Sequence, residues 1–396
     1  MSFDYMSRGE QLRDEIITNR RTIHGYAETG FDLEKTVTYV MEQLSSYGYR
    51  PRRVGKAGVT CTVGKEGKVF LLRGDMDALP MAEETGLPFA ANNGNCHSCG
   101  HDCHAAMLLG AAKMLKERED QLEGTVKFMF QPAEELLGGA VDMIQAGILE
   151  NPKVDAGMAM HVMVGNENSK TGEVFYANGP ANFSGDAVTI RVKGRTAHGS
   201  TPEIGVDAIS IAAHIVIALQ EILAREINSM QPAVLIVGTI HGGTTCNTLA
   251  GEAVLECSCR AATHETRAFL KRRIKEIAEG VAGTFRGEAE VEYVYGMPPM
   301  VNDRELSDEI GGYCGELLSP ERVHVIPVSN GTEDFTAVAA RIPTTFLNLG
   351  AGSREQGHQF SMHHPKMVVD EDALPIGAAL YAFTAEQYLS NHKDKE

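Results

Sequence analysis

Four stretches of this chain place acids or imidazoles just after apolar runs of the kind that form strands. Asp75 and Asp77 follow VFLLRG, Glu134 and Glu135 follow VKFMFQPA, His161 ends DAGMAM, and His358, His363 and His364 come shortly after TFLNLGAG. In open α/β sheets the ligand crevice lies outside the carboxyl ends of the strands, so four strand ends direct these groups to one edge. The densest segment is NCHSCGHDCHAAMLLG (95–110). Cys99 and His101 are two apart; in extended chain their side chains share one side while Asp102 points away. Thiolate and imidazole together suit Zn²⁺ and other late divalent metals. Glu135, His161 and His363 supply further ligands, and two ions about 3.5–4 Å apart clamp and activate a water. Glu134 and Glu135 point apart in extended chain, so one can bind metal while the other serves as general base. Asp75, Asp77 and Asp102 are expected to orient ligating imidazoles from behind. His358 and His364 stand as alternatives to His363, and Cys103 and His104 are assigned to packing and capping.

These groups need elements to carry them. Residues 9–46 read as helix with a break near His24-Gly25. VTCTVG (59–64), KVFLLRGD (68–75), TVKFMFQPAEE (125–135) and DAGMAMHV (155–162) read as strands. HAAMLLGAAKMLKERED (104–120) and VDMIQAGILE (141–150) read as helices. Strands alternating with helices predict an α/β layer structure with a largely parallel or mixed sheet. The middle follows a different order. Strand 187–194, helix 202–226, strands 233–243 and 252–261, helix 265–285 and strand 289–296 make a β-α-β-β-α-β, ferredoxin-like unit. Strands 323–331 and 344–352 and a helix around 371–389 complete the first layer. The reading is a discontinuous catalytic domain, 1–185 and 296–396, with an inserted α+β domain at 186–295. The charged tail NHKDKE is expected to be loose.

Composition narrows the function classes. Of 396 residues, 43% are hydrophobic and 22% charged, which are ordinary globular proportions. Lys and Arg number 36 against 53 Asp and Glu, for a net charge of −17, which argues against binding a phosphate backbone. No stretch reads as long and apolar enough for a bilayer, and the N-terminal residues lack a signal-peptide core, so the cytoplasm is expected. The eight cysteines of so large a chain suggest free thiols or ligands rather than a disulfide framework. There is no GxxxxGK[ST] and no GxGxxG after the first strand, so the glycine-rich turns are read as places of close backbone approach to a substrate.

The sequence resembles the M20 metallopeptidase family, in the amidohydrolase branch of aminoacylases, hippurate hydrolases and auxin-conjugate hydrolases. The resemblance rests on LLRGDMDALPMAEETGLPF (71–89), CHSCGHDCHAAMLLGAAKML (96–115), FMFQPAEE (128–135), MAMHV (158–162), GRTAHGSTPEIGVDAI (194–209), GGTTCNTLAGEAVLECSCR (242–260), GTEDF (331–335) and MHHPKMVVDEDAL (362–374). It implies an α/β mixed-sheet metallohydrolase with an inserted ferredoxin-like lid and dimerisation domain. It implies Cys99, His101, Glu135, His161 and His363 as ligands of two divalent ions (Zn, Mn, Co or Ni) and Glu134 as general base. His198 corresponds to the lid histidine that, in relatives, reaches a neighbouring subunit's active site and steadies the oxyanion. Asn247 and Arg260 correspond to the lid residues that hold a substrate carboxylate. Three departures stand out: His24-Gly25-Tyr26-Ala27-Glu28 lacks the family's proline, Asn247-Thr248-Leu249-Ala250 replaces Asn-x-Ile-Pro, and Cys103 stands where many relatives have Gly.

The expected function is hydrolysis of the amide of an N-acyl amino acid or a related small conjugate, by a homodimer or higher homo-oligomer with no nucleic-acid or membrane partner. A dipeptidase with the same machinery is the alternative. A metal-binding protein without activity and a thiol hydrolase using Cys99 or Cys103 are the further classes.

Overall fold

A computed structural model describes residues 3–393; of the tail, Asp394–Glu396 lie outside the described residues, and Asn391 still ends a helix. The contacts divide the chain into two units. The larger comprises Met1–Gly179, Asn302–Pro327 and Ala337–Glu396, and the other Pro180–Val301 and Val328–Thr336. The inserted unit is therefore wider than 186–295. Pro180–Asn182 pairs with Met300–Val301, and Phe183 N–H donates to Ser329 O, which draws 328–336 in with the insert.

The larger unit is built on an eight-stranded mixed sheet. Its centre is four parallel strands in the order Gly124–Gln131, Lys68–Asp75, Ala156–Met163 and Thr344–Gly350. These read as near-continuous apolar runs because parallel strands are covered on both faces. All four carboxyl ends lie at one edge, as the sequence reading required. Gly58–Gly64 adds an antiparallel strand on one side, and Val174–Tyr176 one on the other. Val174–Tyr176 and the helix Arg304–Leu317 were not anticipated. The expected strand 323–331 is only Val323–Val325. The helix at 141–150 is only Gly139–Gln145, beyond which the chain turns.

Helix His101–Glu117 is buried nearly all round, consistent with its alanine and leucine content. It packs on Ala373–Asn391, which is also almost wholly buried.

The ladder between Lys68–Asp75 and Ala156–Met163 runs only from Phe70–Ala156 to Arg73–Ala159. Beyond that the strands part, and the freed backbone groups need partners. Tyr381 supplies them at the start of the split: its hydroxyl accepts from Met160 N–H at 2.8 Å and donates to Arg73 O at 2.7 Å. His104 Nε2 accepts Val162 N–H at 2.8 Å further along. The crevice at the carboxyl edge is thus a split in the sheet, stitched by side chains.

The inserted unit has one antiparallel sheet in the order Ala233–Gly242, Glu252–Ala261, Gly185–Lys193, Glu288–Met297. Helices Ala208–Glu221 and His264–Thr284 share its core, giving the expected β-α-β-β-α-β order. The first helix begins at Ala208 rather than 202, because Asp207 caps it by accepting Ile209 N–H and Val206 bridges back to Arg195. One expectation is corrected: the helical stretch Ala208–Glu226 is long and apolar enough, by length and composition, to cross a membrane. Its Ile211, Ile215, Leu219 and Ile222 are core residues of the inserted unit, while Ile209 and Ile217 are exposed.

Candidate active site

The five expected ligands come together in the larger unit. Ligand atoms of Cys99, His101 and His161 lie within 4.8 Å of one another, as do those of Cys99, Glu135 and His363, and those of His101, Glu134 and Glu135. The first two sets share Cys99. Its Sγ is 3.5 Å from His161 Nε2 and 3.2 Å from His363 Nε2, which is also 3.3 Å from Glu135 Oε1.

Local backbone geometry, not extended chain, achieves this. Gly100, at φ +87°, turns the chain between Cys99 and His101, and His101 is the first residue of its helix. A Cβ at Gly100 would lie 2.4 Å from Val162 Cγ2, so both conformation and space call for glycine. Glu134 and Glu135 likewise sit in a turn, entered through Ala133 at φ +52°. Both carboxylates consequently reach the His101 set instead of pointing apart. His363 also has a left-handed backbone, φ +62°, and its N–H donates to Ser98 O at 2.7 Å. With Leu137 at φ +54° in the turn that holds Glu134 and Glu135, three non-glycine residues in this region, each costing of order 1–3 kcal/mol, mark a backbone held by its surroundings.

The donors are prepared for cations. His101 Nε2 is buried without a hydrogen-bond partner, while His101 Nδ1 faces Asp77 and Glu135 Oε1 meets His363 Nε2. Buried polar groups are rarely left unpaired, and a cation would satisfy His101 Nε2. His161 Nδ1 donates to Val162 O at 2.7 Å, leaving the Nε2 lone pair toward Cys99. Burial pushes the Cys99 thiol up, so a cation is what would hold it as thiolate.

Asp77 serves both roles expected of a supporting carboxylate. Its oxygens accept Glu134 N–H at 3.0 Å and Glu135 N–H at 3.2 Å, and Oδ1 lies 3.3 Å from His101 Nδ1. Asp75 is held by Arg73 at 2.7 Å and His104 Nδ1 at 2.5 Å, with His101 Nε2 3.7 Å from its Oδ2. Burial opposes its charge, but Arg73 and the two imidazoles keep the carboxyl well below its usual range. Asp102 is a correction. Its carboxylate accepts from Arg20 Nε at 2.7 Å and binds His24 Nδ1 at 2.8 Å, so it ties the ligand-bearing helix to helix Arg13–Tyr26 instead of orienting a ligand. His24 also meets Glu83 at 3.1 Å. Although burial works against the charge, these carboxylates raise the His24 pKa to about 9.

The alternatives to His363 are engaged elsewhere. His358 Nδ1 donates to Val368 O, and His364 stacks on Phe360. His104 is buried with both nitrogens bonded, in keeping with packing. The sequence reading missed Arg73, Arg20 and His24. An arginine inside the otherwise apolar VFLLRG run was the available signal for Arg73.

His198, Asn247 and Arg260 belong to the inserted unit. Ala197–His198 pairs with Thr248–Leu249, so His198 and Asn247 ride on one short hairpin, both exposed. Arg260 is half-buried in strand Glu252–Ala261, its Nη1 donating to Asn330 O at 3.0 Å and Thr332 Oγ1 at 3.1 Å.

Comparison with known proteins agrees with this arrangement. The N-acetyl-L-cysteine deacetylase of Bacillus subtilis is 34% identical over 97% of this chain and 91% of its own length. Thermostable carboxypeptidase 1 of Saccharolobus solfataricus is 34% identical over 96% of each chain. The crystal structure of a dinuclear metal binding peptidase from the M20 family of Bacillus subtilis superposes with a TM-score of 0.84 at 29% identity, over 96% of this chain and 99% of that one. The model of peptidase family M20/M25/M40 matches residues 71–387, and the chain belongs to that family.

Proposed function

We propose that this protein is a metal-dependent amidohydrolase that cleaves the amide of N-acyl amino acids or related small conjugates. The observation that carries the reading is the set of Cys99, His101, Glu135, His161 and His363 at one sheet edge, with His101 Nε2 buried and lacking a hydrogen-bond partner, beside a second carboxylate, Glu134. Those five residues would hold two divalent cations. Bound there, the cations polarise the amide carbonyl and make water acidic enough to attack near neutral pH. Glu134 takes the proton of the attacking water and later returns it to the leaving amine. Asp77 keeps Glu134 and Glu135 in register through their backbone N–H groups. His198 donates a hydrogen bond to the oxyanion, and Asn247 and Arg260 hold the substrate carboxylate. The soft thiol among the donors favours late divalent metals, with Zn, Mn, Co and Ni as candidates.

The free state of all eight cysteines supports a reducing compartment such as the cytoplasm. An edge strand, Ala233–Gly242, with Val234, Ile236 and Ile240 exposed, and exposed Ile209 and Ile217 on the neighbouring helix support dimerisation through the inserted unit.

The test is amine release from a panel of N-acyl amino acids and dipeptides after EDTA stripping and add-back of single metals. Metal-restored cleavage of an N-acyl amino acid is expected. Cleavage of dipeptides alone would favour the peptidase reading, which the similarity to a carboxypeptidase also suits. Failure with every metal, despite measured metal binding, would overturn the activity.

A further inference from the structure

We infer that Ser200 locks the neutral imidazole of His198 in the tautomer that carries its proton on Nε2, making His198 a fixed hydrogen-bond donor. Ser200 N–H points to His198 Nδ1 at 3.1 Å, and Ser200 Oγ lies 2.7 Å from the same nitrogen. A backbone N–H can only donate, so Nδ1 presents its lone pair and the proton resides on Nε2. The hydroxyl, able to rotate, donates a second bond to that lone pair. Nε2 makes no hydrogen bond among the described residues, and His198 is exposed.

The turn that brings Ser200 back onto the ring is itself fixed. Thr201 N–H donates to His198 O at 2.9 Å, and Gly199 N–H to Asn247 O at 2.8 Å. A Cβ at Gly199 would stand 2.9 Å from that same Asn247 oxygen, so the approach of the two strands requires glycine. One hairpin therefore sets the place of Asn247, the place of His198 and, through Ser200, which ring nitrogen holds the proton. A histidine free to choose its tautomer presents a lone pair at Nε2 part of the time, and in that form it repels an oxyanion. Locking removes that fraction. Ser200 acts through His198 and is a positioning residue.

The oxyanion role of His198 belongs to the function proposed above; the tautomer does not depend on it. The experiment is ¹⁵N NMR of the imidazoles in the full chain labelled at histidine, at a pH where they are neutral, with His198→Gln to assign the signals. The expected result is a pyridine-type Nδ1 and a pyrrole-type Nε2 for His198, each at its limiting shift. Ser200→Ala, which keeps the N–H but loses the hydroxyl, should move both toward the average and raise the Nδ1-protonated population on the order of five-fold, the worth of one hydrogen bond. With the Nε2–H form still the major one, kcat should fall by no more than about a third with KM unchanged, and Ser200→Thr should restore the tautomer balance. Averaged nitrogens in the wild type, or limiting shifts unmoved by Ser200→Ala, would overturn the inference. If instead the tautomer is as stated but His198→Gln keeps full kcat, the tautomer stands and the oxyanion role fails.

Discussion

The two units hold their functional groups in opposite ways. In the larger unit the donors gather at a split in the sheet, where Cys99, His101 and Glu134 are buried and only His363 among them is exposed, and the backbone beside them is left-handed at Ala133 and His363. In the inserted unit His198 and Asn247 are exposed on a hairpin of two paired residues per strand, and only Arg260 is partly covered. Charge development on a reacting amide calls for desolvated groups that do not reorganise, whereas recognition of a carboxylate tolerates groups that settle after binding. Changes in the larger unit should therefore appear in turnover and folding, and changes at the carboxylate-holding residues of the inserted unit, Asn247 and Arg260, mainly in KM.

The largest expected effect is at Glu134. Glu134→Gln keeps the shape and the Asp77 contact to its backbone but removes the proton acceptor. It should lower kcat by about 10²–10⁴-fold, the usual contribution of a positioned general base, with metal content unchanged. Steady-state kinetics beside metal analysis of the purified variant checks this; a wild-type rate would remove Glu134 from its role.

How far the site was legible follows the same division. The four core strands announced themselves because parallel strands are apolar runs, and a polar group at the end of each was visible without structure. What failed was geometry set by single backbone angles. The reading of Glu134 and Glu135 as divergent assumed extended chain, and nothing about an alanine at 133 announces a positive φ. Gly100 was in plain view between Cys99 and His101 and did carry the signal. The pairing of Asp102 with Arg20 and His24 joins residues some eighty positions apart, which no local pattern encodes. Helix Arg304–Leu317 could have been found from its cap at Asp303 and the spacing of Leu306, Ile310 and Cys314. Three-residue strands such as Val174–Tyr176 and Val323–Val325 are too short to show a period.

That long-range pairing sharpens the comparison, because it lies behind the ligands and should affect folding more than chemistry. His24 has its pKa raised to about 9 in the folded protein, against an ordinary value near 6.5 when unfolded. A raised folded value means the stabilisation is complete below about pH 6.5 and is lost as pH climbs through 9. The difference corresponds to on the order of 3 kcal/mol, counted once for the His24–Asp102 pair. Urea unfolding across pH 6 to 9.5 (a range set by those two pKa values) should show wild type losing this much more stability than His24→Gln. Parallel curves for the two proteins would mean that the imidazole is not charged in the fold.

The smallest expected effect lies in the inserted unit, at Arg260, and it separates recognition from scaffolding. Nη1 is committed to Asn330 O and Thr332 Oγ1, so the side chain already anchors residues 328–336 of its own unit. Its remaining N–H groups are the ones available to a substrate carboxylate. Arg260→Ala removes both functions at once, whereas Arg260→Lys keeps the charge and loses the planar fork. For an N-acyl amino acid, Arg260→Lys should raise KM about tenfold with kcat nearly unchanged, the expected loss when one charge-assisted bond is given up. For the corresponding N-acyl amino acid amide, which offers no carboxylate, KM should barely move. Equal losses on both substrates would assign Arg260 to the anchoring of 328–336 alone. A fall in kcat without a change in KM would break that division, because a residue assigned to recognition would then be contributing to the transition state itself.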